Sequence, residues 1–272
     1  MAENKNPSLA QMGINILTFN ARGVRKKLAE IEKLNSEYKI DVLAIQETGL
    51  HYLSKLHPTG FHEPIIAGKN QNHKLNTLLW VSKKHEIIDK HIICDDSGEY
   101  ATALIETISG KQFTVTSFYR YHPTTNRAEK IDLFQKNIKN LITKFPKDHY
   151  LTGDINIESP LWRNNAPILE GKLKEVENLI LDENLIILNT GKITHLGNIN
   201  QRDSAIDITL VKNPQNTTIK SWDTIEDTLS SDHFPLITSL TTTYQFTNED
   251  ENHNRIKYKT KNINWDKYIK KL

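Results

Sequence analysis

Apolar residues recur with two kinds of spacing along the chain, one typical of strands and one typical of helices. Together they predict an α/β protein. The run Ile14–Phe19 predicts a buried strand, and Asp41–Gln46 predicts a second one. Between them, apolar residues recur at helical spacing from Val24 to Tyr38, with Lys and Glu in the intervening positions. This β-α-β opening favours two parallel strands joined by a crossover helix.

The rest of the chain alternates short strand patterns with two helical ones. Four strand patterns separated by turn residues resemble an antiparallel meander, at 78–81, 86–93, 100–107 and 112–119. Helices are predicted over 128–145 and 172–184, and a strand over 149–153. Three further strands are predicted at the end of the domain, around 185–188, 206–211 and 235–240. The natural packing of this order is a four-layer α/β sandwich, with two mixed β-sheets face to face and helices outside.

Composition narrows the class of protein. The 272 residues are 37% hydrophobic and 25% charged, which is typical of a globular protein and excludes a disordered chain. No stretch approaches 18 uncharged apolar residues, so we expect no membrane span, and the first thirteen residues carry no apolar secretory signal. Cys94 is the single cysteine, which excludes an intramolecular disulfide and a Cys-rich zinc site. We therefore expect an intracellular protein.

Positive charge is concentrated in one segment. The net charge is +2, yet residues 255–272 contain seven basic residues and one acidic residue, and residues 1–247 sum to −1. If the protein binds nucleic acid, its main body must do so through local patches. We expect a flexible N-terminus over 1–12, a folded domain over 13–245 and a charged tail over 246–272.

Candidate chemistry follows the predicted strands, because ligand sites in α/β sheets collect at strand ends. Acidic, amide and imidazole side chains lie at or beside these ends, at Asn20, Glu47, Asp154, Asn156, Asp207, Asp232 and His233. Asp207 interrupts an apolar run, where a buried charge costs several kcal/mol unless it is paired. Hydrolysis of a phosphodiester needs a hard cation on oxygen ligands, a carboxylate that activates water and a donor for the developing negative charge. This set of side chains can supply all three.

Six motifs carry a resemblance to a known superfamily. They are LTFNARG, LAIQETGL, SFYR, LTGDINIESPLW, SAIDITLV and SSDHFPL, and they span about residues 13–242. In this order they resemble the endonuclease/exonuclease/phosphatase superfamily, whose fold is the four-layer sandwich. Within it, the Pro-Leu-Trp run at 160–162 and the basic, Trp-containing tail resemble the apurinic-type endonuclease domain of non-LTR (LINE-type) retrotransposons.

The resemblance implies a role for each matching residue. Glu47 matches the main metal ligand, with Asn20 and Asp232 close to the ion, and the expected cofactor is Mg²⁺, or alternatively Mn²⁺. Asp154 matches the residue that orients or deprotonates the attacking water, and Asn156 supports it. The remaining matches are His233 beside the scissile phosphate, Asp207 holding its ring, and Tyr119 and Thr194 contacting the phosphate. The resemblance leaves open whether Asp154 or His233 is the base.

Two departures from the family pattern bear on DNA contacts. Repair enzymes have an Asp at the position of Arg22, and an arginine there is expected to hold a phosphate or the partner strand. The family often has Pro, then Asn, shortly after its tyrosine, whereas this chain reads Tyr119-Arg120-Tyr121-His122-Pro123. Arg120 and Arg163 are expected to bind substrate instead, as part of a basic rim that also contains Tyr121, His122 and Arg127.

The resemblance implies a nuclear, Mg²⁺-dependent endonuclease that nicks one strand of double-stranded DNA. The nick leaves a 3′-hydroxyl for a reverse transcriptase domain of the same polyprotein, to which the tail is expected to lead. Two alternatives remain at this point. One is a repair-type apurinic/apyrimidinic endonuclease, and the other is a catalytically inactive DNA-binding module.

Overall fold

The computed structural model describes residues 9–50, 56–68, 75–122 and 127–245, which form strands and a few helices. The strands of this part of the chain are β1 (Leu9–Asn20), β2 (Val42–Leu50), β3 (Ile65–Ala67), β4 (Leu75–Val81), β5 (Glu86–Cys94), β6 (Gly98–Glu106), β7 (Gln112–Arg120), β8 (His149–Asp154), β9 (Ile186–Ile187), β10 (Asp207–Lys212), β11 (Thr217–Thr224) and β12 (Leu236–Gln245). The α-helices are α1 (Leu28–Tyr38), α2 (Arg127–Lys144) and α3 (Lys174–Asp182). Single 3-10 turns at Val24–Lys27 and Gly171–Leu173 precede α1 and α3.

Two mixed six-stranded sheets confirm the predicted fold class. The first sheet has the order β11-β12-β1-β2-β4-β3, and the second has the order β5-β6-β7-β8-β10-β9. β1 and β2 are parallel, as the β-α-β pattern predicted, and β7 and β8 are parallel in the second sheet. The carboxyl ends of these four strands lie at the edges where the candidate residues were expected.

Alternating apolar positions sort the core into layers. In β1, Ile14 and Ile16 join a buried cluster with residues of the second sheet, such as Val115. Leu17 points to the opposite face of the strand and packs in a cluster with Ile31 of α1. Helices α2 and α3 cover the outer face of the second sheet in a third cluster. The four layers are therefore α1, two sheets, and the α2–α3 pair.

Hydroxyl and amide groups replace apolar side chains between the sheets below the candidate residues. Oγ1 of Thr18 in β1 and Oγ1 of Thr152 in β8 share a hydrogen bond of 2.6 Å. Nε2 of Gln46 in β2 donates to Oγ of Ser117 in β7 over 2.9 Å. Buried polar groups need partners, so these bonds specify how the two sheets align.

Several elements differ from the sequence predictions. The strand at 78–81 does not belong to a meander with the next three, because β4 pairs with β2 in the first sheet. Four strands, β9 to β12, follow α3 in the described residues, where three were predicted. The additional strand is β11, which pairs with β12 and buries only one face. The short β3, paired with β4, was also not predicted.

The domain boundaries predicted from the sequence can be compared with the structure only where residues are described. Gly13–Thr242 form one compact unit. β1 begins at Leu9, so residues 9–12, expected in the flexible N-terminus, belong to a strand. The tail over 246–272 lies outside the described residues. In the described part of the chain, no helix is long and apolar enough to cross a membrane.

Candidate active site

Strand geometry brings most of the predicted residues to one edge of the sandwich. Asn20 is the last residue of β1, Asp154 is the last of β8, and Tyr119 is the last but one of β7. Asp207 is the first residue of β10, which runs antiparallel to β8 and therefore starts where β8 ends. Parallel strands end at the same side, and an antiparallel neighbour begins there. The chain thus concentrates polar side chains at this edge without any of them lying close in sequence.

Asn20 links two carboxylates from different sheets. Its Nδ2 donates to Oε1 of Glu47 over 3.0 Å and to Oδ2 of Asp154 over 2.9 Å. The hydroxyl of Tyr119 also donates to Oε1 of Glu47, over 3.3 Å. The side chain of Glu47 is 29% exposed, whereas Asp154 is buried, so the carboxylate pair opens to solvent on the Glu47 side.

Glu47 lies within β2 rather than after it. The β2–β4 register shifts between Gln46 and Leu50, and Glu47 has a φ of 45°. A left-handed conformation costs a non-glycine residue on the order of 1 to 3 kcal/mol and persists only where its surroundings enforce it. Here the carbonyl of Glu47 accepts the backbone N–H of Gly23 over 2.7 Å. This irregularity in the strand brings the carboxylate to Asn20.

Asp207 positions the ring of His233. Nδ1 of His233 donates to Oδ2 of Asp207 over 2.8 Å, and both side chains are 2% exposed. Oγ1 of Thr194 donates to the same Oδ2 over 2.8 Å and accepts the backbone N–H groups of Ile206 and Asp207. Thr194 was expected to contact a phosphate, but it is buried and its hydroxyl orients Asp207 instead.

Burial and neighbouring charges raise the pKa values of both Asp154 and His233. Burial, followed by the neighbouring charge of Asp207, raises the pKa of Asp154 to about 7. Burial alone would lower the pKa of His233, but the charge of Asp207 and the hydrogen bond to it raise this pKa to about 9. Perturbed groups of this kind are typical of sites that transfer protons.

Asp232 lies in a different group from the one expected. Its Oδ2 is 2.6 Å from NH1 of Arg22 and 3.4 Å from Nε2 of His195. Among the described residues, the ligand atoms of Glu47, Asp154 and His233 lie within 4.8 Å of one another. The geometry therefore favours Asp154 as the carboxylate beside Glu47 in a metal site, where the sequence predicted Asp232, and Asp232 groups with His195 and His233 instead.

The predicted basic rim is only partly present. Arg120 is buried at the end of β7, where it packs against Phe134 of α2, and burial lowers its pKa to about 10. It cannot reach a substrate, because successive strand residues point to opposite faces and Tyr119 takes the face towards the site. NH1 of Arg163 donates to Oε1 of Glu158 over 2.6 Å, so this side chain is also engaged internally. His122 and Arg127 are exposed.

Asn156 supports Asp154 at the end of β8. It does so through one hydrogen bond of its backbone and one of its side chain. Its backbone N–H donates to Oδ1 of Asp154 over 2.8 Å, and its Nδ2 donates to the carbonyl of Arg120 over 2.7 Å. Like Glu47, it has a positive φ, of 51°. The loop after β8 therefore curls back and holds Asp154 in place.

Sequence reasoning missed two residues that shape the site. The ring of His195 contacts that of His233 in a tilted arrangement, with ring centroids 4.6 Å apart, although 38 positions separate the two residues in the sequence. The buried Glu99 accepts the hydroxyl of Tyr121 over 2.5 Å, and the ring of Tyr121 lies 5.8 Å from that of Tyr119. Neither residue lies in a motif, so only the juxtaposition of distant segments identifies it.

A sequence comparison finds a family similar to the segment that contains Tyr119, Asp154, Asp207 and His233. Residues 113–237 match the profile of the family described as endonuclease-reverse transcriptase. This segment is similar to that family. The match contains Tyr119, Asp154, Asp207 and His233, and it confirms the resemblance on which the expected enzyme class, a phosphodiester-cleaving endonuclease, was based. No curated protein matches the chain in sequence.

Solved structures of several nucleases share the fold of this chain. The endonuclease domain of TRAS1, a telomere-specific non-LTR retrotransposon, is 20% identical with a TM-score of 0.65, covering 84% of this chain and 98% of that chain. The AP endonuclease LMAP from Leishmania major is 12% identical with a TM-score of 0.66, covering 86% and 88%. The 3′ phosphatase NExo from Neisseria, bound to a product DNA hairpin, is 18% identical with a TM-score of 0.62, covering 83% and 98%. At these identities the likeness establishes the fold.

Proposed function

We propose that the protein is a Mg²⁺-dependent endonuclease that nicks one strand of undamaged double-stranded DNA. The observation that carries this proposal is the hydrogen-bonded group of Asn20, Glu47 and Asp154, which lies beside the His233–Asp207 pair. Glu47 and Asp154 supply oxygen ligands for a hard cation, and His233 supplies a positive charge for a phosphate. Hydrolysis of a phosphodiester needs both.

The donor chemistry of the carboxylate pair fits Mg²⁺. Glu47 and Asp154 offer carboxylate oxygens, which Mg²⁺ prefers, and the solvent-exposed side of Glu47 leaves room for the waters this ion retains. Asn20 holds both carboxylates by its amide N–H, so they are oriented before an ion arrives. When bound, the metal supplies positive charge against the negative charge that develops on the phosphate. Glu47 and Asp154 would hold it.

The protein side chains divide the remaining chemistry. Asp154 orients and deprotonates the attacking water, and the backbone N–H of Asn156 holds its carboxylate in place. His233 presents its Nε2 to a phosphate oxygen, since its Nδ1 is committed to Asp207. Tyr119, whose hydroxyl reaches Glu47, lies where it can also contact the phosphate. Arg22 is 48% exposed and is the cation best placed to meet the DNA backbone.

The product of the proposed reaction indicates which reaction follows it. A nick with a 3′-hydroxyl is a primer for polymerisation, and the matched family joins an endonuclease to a reverse transcriptase. We propose that such a reverse transcriptase domain of the same polyprotein is the partner of this endonuclease and uses the nick as its primer. Since the substrate is genomic DNA, the proposed place of action is the nucleus.

Nicking of supercoiled plasmid with and without EDTA tests the enzyme class. We expect conversion of supercoiled to open-circular DNA with Mg²⁺ or Mn²⁺, and none with EDTA. The nicked product should be extended directly by a DNA polymerase, which requires a 3′-hydroxyl. Full activity in EDTA would exclude Glu47 and Asp154 as ligands of an essential metal.

Two matched oligonucleotide duplexes, one with a single abasic site, separate the proposal from a repair enzyme. A repair enzyme must accept an extruded abasic sugar and discriminates against intact duplex. Arg22 stands where repair enzymes have an Asp, and it is paired with Asp232. We therefore expect both duplexes to be nicked, with a preference for flexible pyrimidine–purine steps. Cleavage of the abasic duplex thousands of times faster than the intact one would establish the repair function instead.

A further inference from the structure

His233 of the proposed catalytic group and two neighbouring side chains, His195 and Asp232, have the arrangement of a transition-metal site. Among the described residues, ligand atoms of His195, Asp232 and His233 lie within 4.8 Å of one another. Nε2 of His195 is 3.4 Å from Oδ2 of Asp232, and Nε2 of His233 is 3.8 Å from Oδ1 of Asp232. Ligands about 2.05 Å from a tetrahedral Zn²⁺ are about 3.3 Å apart, so small side-chain movements would bring these atoms onto one ion. We refer to the three residues as the His–Asp–His group.

The main chain holds the His–Asp–His group together. His195 and His233 form an antiparallel backbone bridge. The backbone N–H of Leu196 donates to the carbonyl of Asp232 over 2.7 Å, and that of Phe234 donates to the carbonyl of Thr194 over 2.8 Å. The two histidines are therefore held side by side, and their separation does not depend on a ligand.

Hydrogen bonds fix the direction of each imidazole. Nδ1 of His233 donates to Asp207, and Nδ1 of His195 lies 3.1 Å from Oγ of Ser204. Both rings consequently turn Nε2 towards Asp232. Metal-binding histidines nearly always have a carboxylate, carbonyl or other oxygen on the second ring nitrogen, which sets the orientation and basicity of the ligand. Asp207 and Ser204 provide such an oxygen to His233 and His195, respectively.

Asp232 has an oxygen to spare for a ligand. Its Oδ2 is engaged by Arg22 over 2.6 Å, whereas its Oδ1 is buried and has no hydrogen-bond partner among the described residues. A buried acceptor without a partner costs about 1 to 3 kcal/mol, which a ligand would recover. Arg22 repels a cation from the Oδ2 side, so Oδ1, the oxygen nearer His233, is the one that remains for an ion.

We propose that the His–Asp–His group binds Zn²⁺ and that zinc inhibits the endonuclease by occupying Nε2 of His233. Two imidazoles and one carboxylate are a typical ligand set for zinc, with a fourth position left for water, whereas Mg²⁺ requires oxygen ligands. Coordination displaces the proton from Nε2 and removes this nitrogen from the phosphate. The inhibitory part rests on the proposed function, and the binding part does not.

Binding of metal to the full chain, measured without DNA, tests the site directly. Cobalt(II) is the spectroscopic probe, because tetrahedral coordination gives strong visible absorption, and zinc should displace it with one equivalent. Zinc affinity is then measured by competition with a chelating dye for the wild type, His195→Asn and Ser204→Ala. Loss of a ligand or of its outer partner should weaken binding at least about tenfold. His91→Asn, in a half-exposed histidine on β5, is the matched control and should bind as the wild type does.

The outcomes separate the site from the proposed function. Loss of the cobalt spectrum in folded His195→Asn, with the control unaffected, supports the site. Equal zinc affinity of the wild type and His195→Asn would overturn it, as would the absence of a tetrahedral spectrum in the wild type. In nicking assays the zinc concentration for half inhibition, relative to each variant's own rate, should rise about tenfold in His195→Asn. A protein that never nicks DNA but binds zinc through His195 would refute the proposed function alone.

Discussion

Asn20 and Asp154 belong to different sheets, and a hydrogen bond of 2.9 Å from Nδ2 to Oδ2 joins them at the edge of the sandwich. Below it, Thr18 and Thr152 connect the same two strands through their hydroxyls. The carboxylate arrangement is thus a consequence of how the sheets align. A shift of one sheet against the other would separate Glu47 from Asp154, so packing of the core and assembly of the site are one event.

Replacement of Asn20 by Ala should therefore disturb the site more than the fold. The variant lacks the donor that holds Glu47 and Asp154, and loss of such an orienting partner typically costs 10- to 100-fold in metal affinity or activity. We expect nicking to fall by at least about tenfold and to need more Mg²⁺. A Mg²⁺ titration of plasmid nicking measures both, and an unchanged titration curve would show that Asn20 does not organise the metal site.

Asp154→Ala and His233→Ala should each lower the nicking rate by at least about a hundredfold, the usual scale for proton-transfer groups. Circular dichroism should show an intact fold, because Asp154 is the last residue of β8 and His233 lies in the segment between β11 and β12. Asp89→Asn, on the half-exposed edge strand β5, is the matched control and should nick at the wild-type rate. Near wild-type activity in either variant would remove that residue from the mechanism.

Trp162 explains the Pro-Leu-Trp run structurally, since its buried Nε1 donates to the carbonyl of Ala205 over 2.8 Å, two residues before Asp207. Trp162→Phe keeps an aromatic ring but leaves that carbonyl without its partner. We expect a loss of about 1 to 3 kcal/mol in the free energy of unfolding, measured by urea denaturation. The partly exposed neighbour Leu161 provides the control, as Leu161→Ala should cost much less. Equal effects of the two substitutions would contradict an anchoring role for the indole N–H.

His149 should make the fold sensitive to acid. Burial lowers its pKa to about 3, and its ring lies between the carbonyl of Phe145 and Oγ1 of Thr116. The unfolded chain, with an ordinary pKa of about 6.5, binds the proton more tightly, so the stabilisation present above that pH is lost as the pH falls towards 3.

Between pH 7 and pH 5, this residue should lower the free energy of unfolding by about 2 kcal/mol. Urea denaturation at both pH values measures the change. In His149→Gln the difference between the two pH values should shrink by this amount, whereas in the control His122→Gln, at an exposed histidine, it should not. The same pH dependence in His149→Gln and wild type would assign the effect to other groups.

Deletion of residues 255–272 tests the charge asymmetry of the chain. These residues contain seven basic side chains and one acidic one, while residues 1–247 sum to −1. We expect weaker non-specific DNA binding and a shallower dependence of affinity on salt, because fewer counterions are released. Fluorescence anisotropy over a salt series measures the slope, and an unchanged affinity at low salt would mean that the tail does not contact DNA.

The sequence by itself determined the elements and the set of chemical groups. Strands such as β1 and β2 and helices such as α2 follow from apolar residues at spacings of two and 3.6, which act locally. Those patterns, together with six motifs, predicted the sandwich and placed Asn20, Asp154 and Asp207 at strand ends. The strand β11 escaped prediction because it buries one face only and contains no continuous apolar run.

Only the tertiary structure decided which groups meet. The pairing of Arg22 with Asp232, the inward direction of Arg120 and the contact of His195 with His233 join segments far apart in sequence. The left-handed conformation of Glu47 likewise depends on its neighbours, since no isolated residue of this type prefers it. Local patterns carry no information about such contacts, because their energies arise only after the two sheets pack and exclude water.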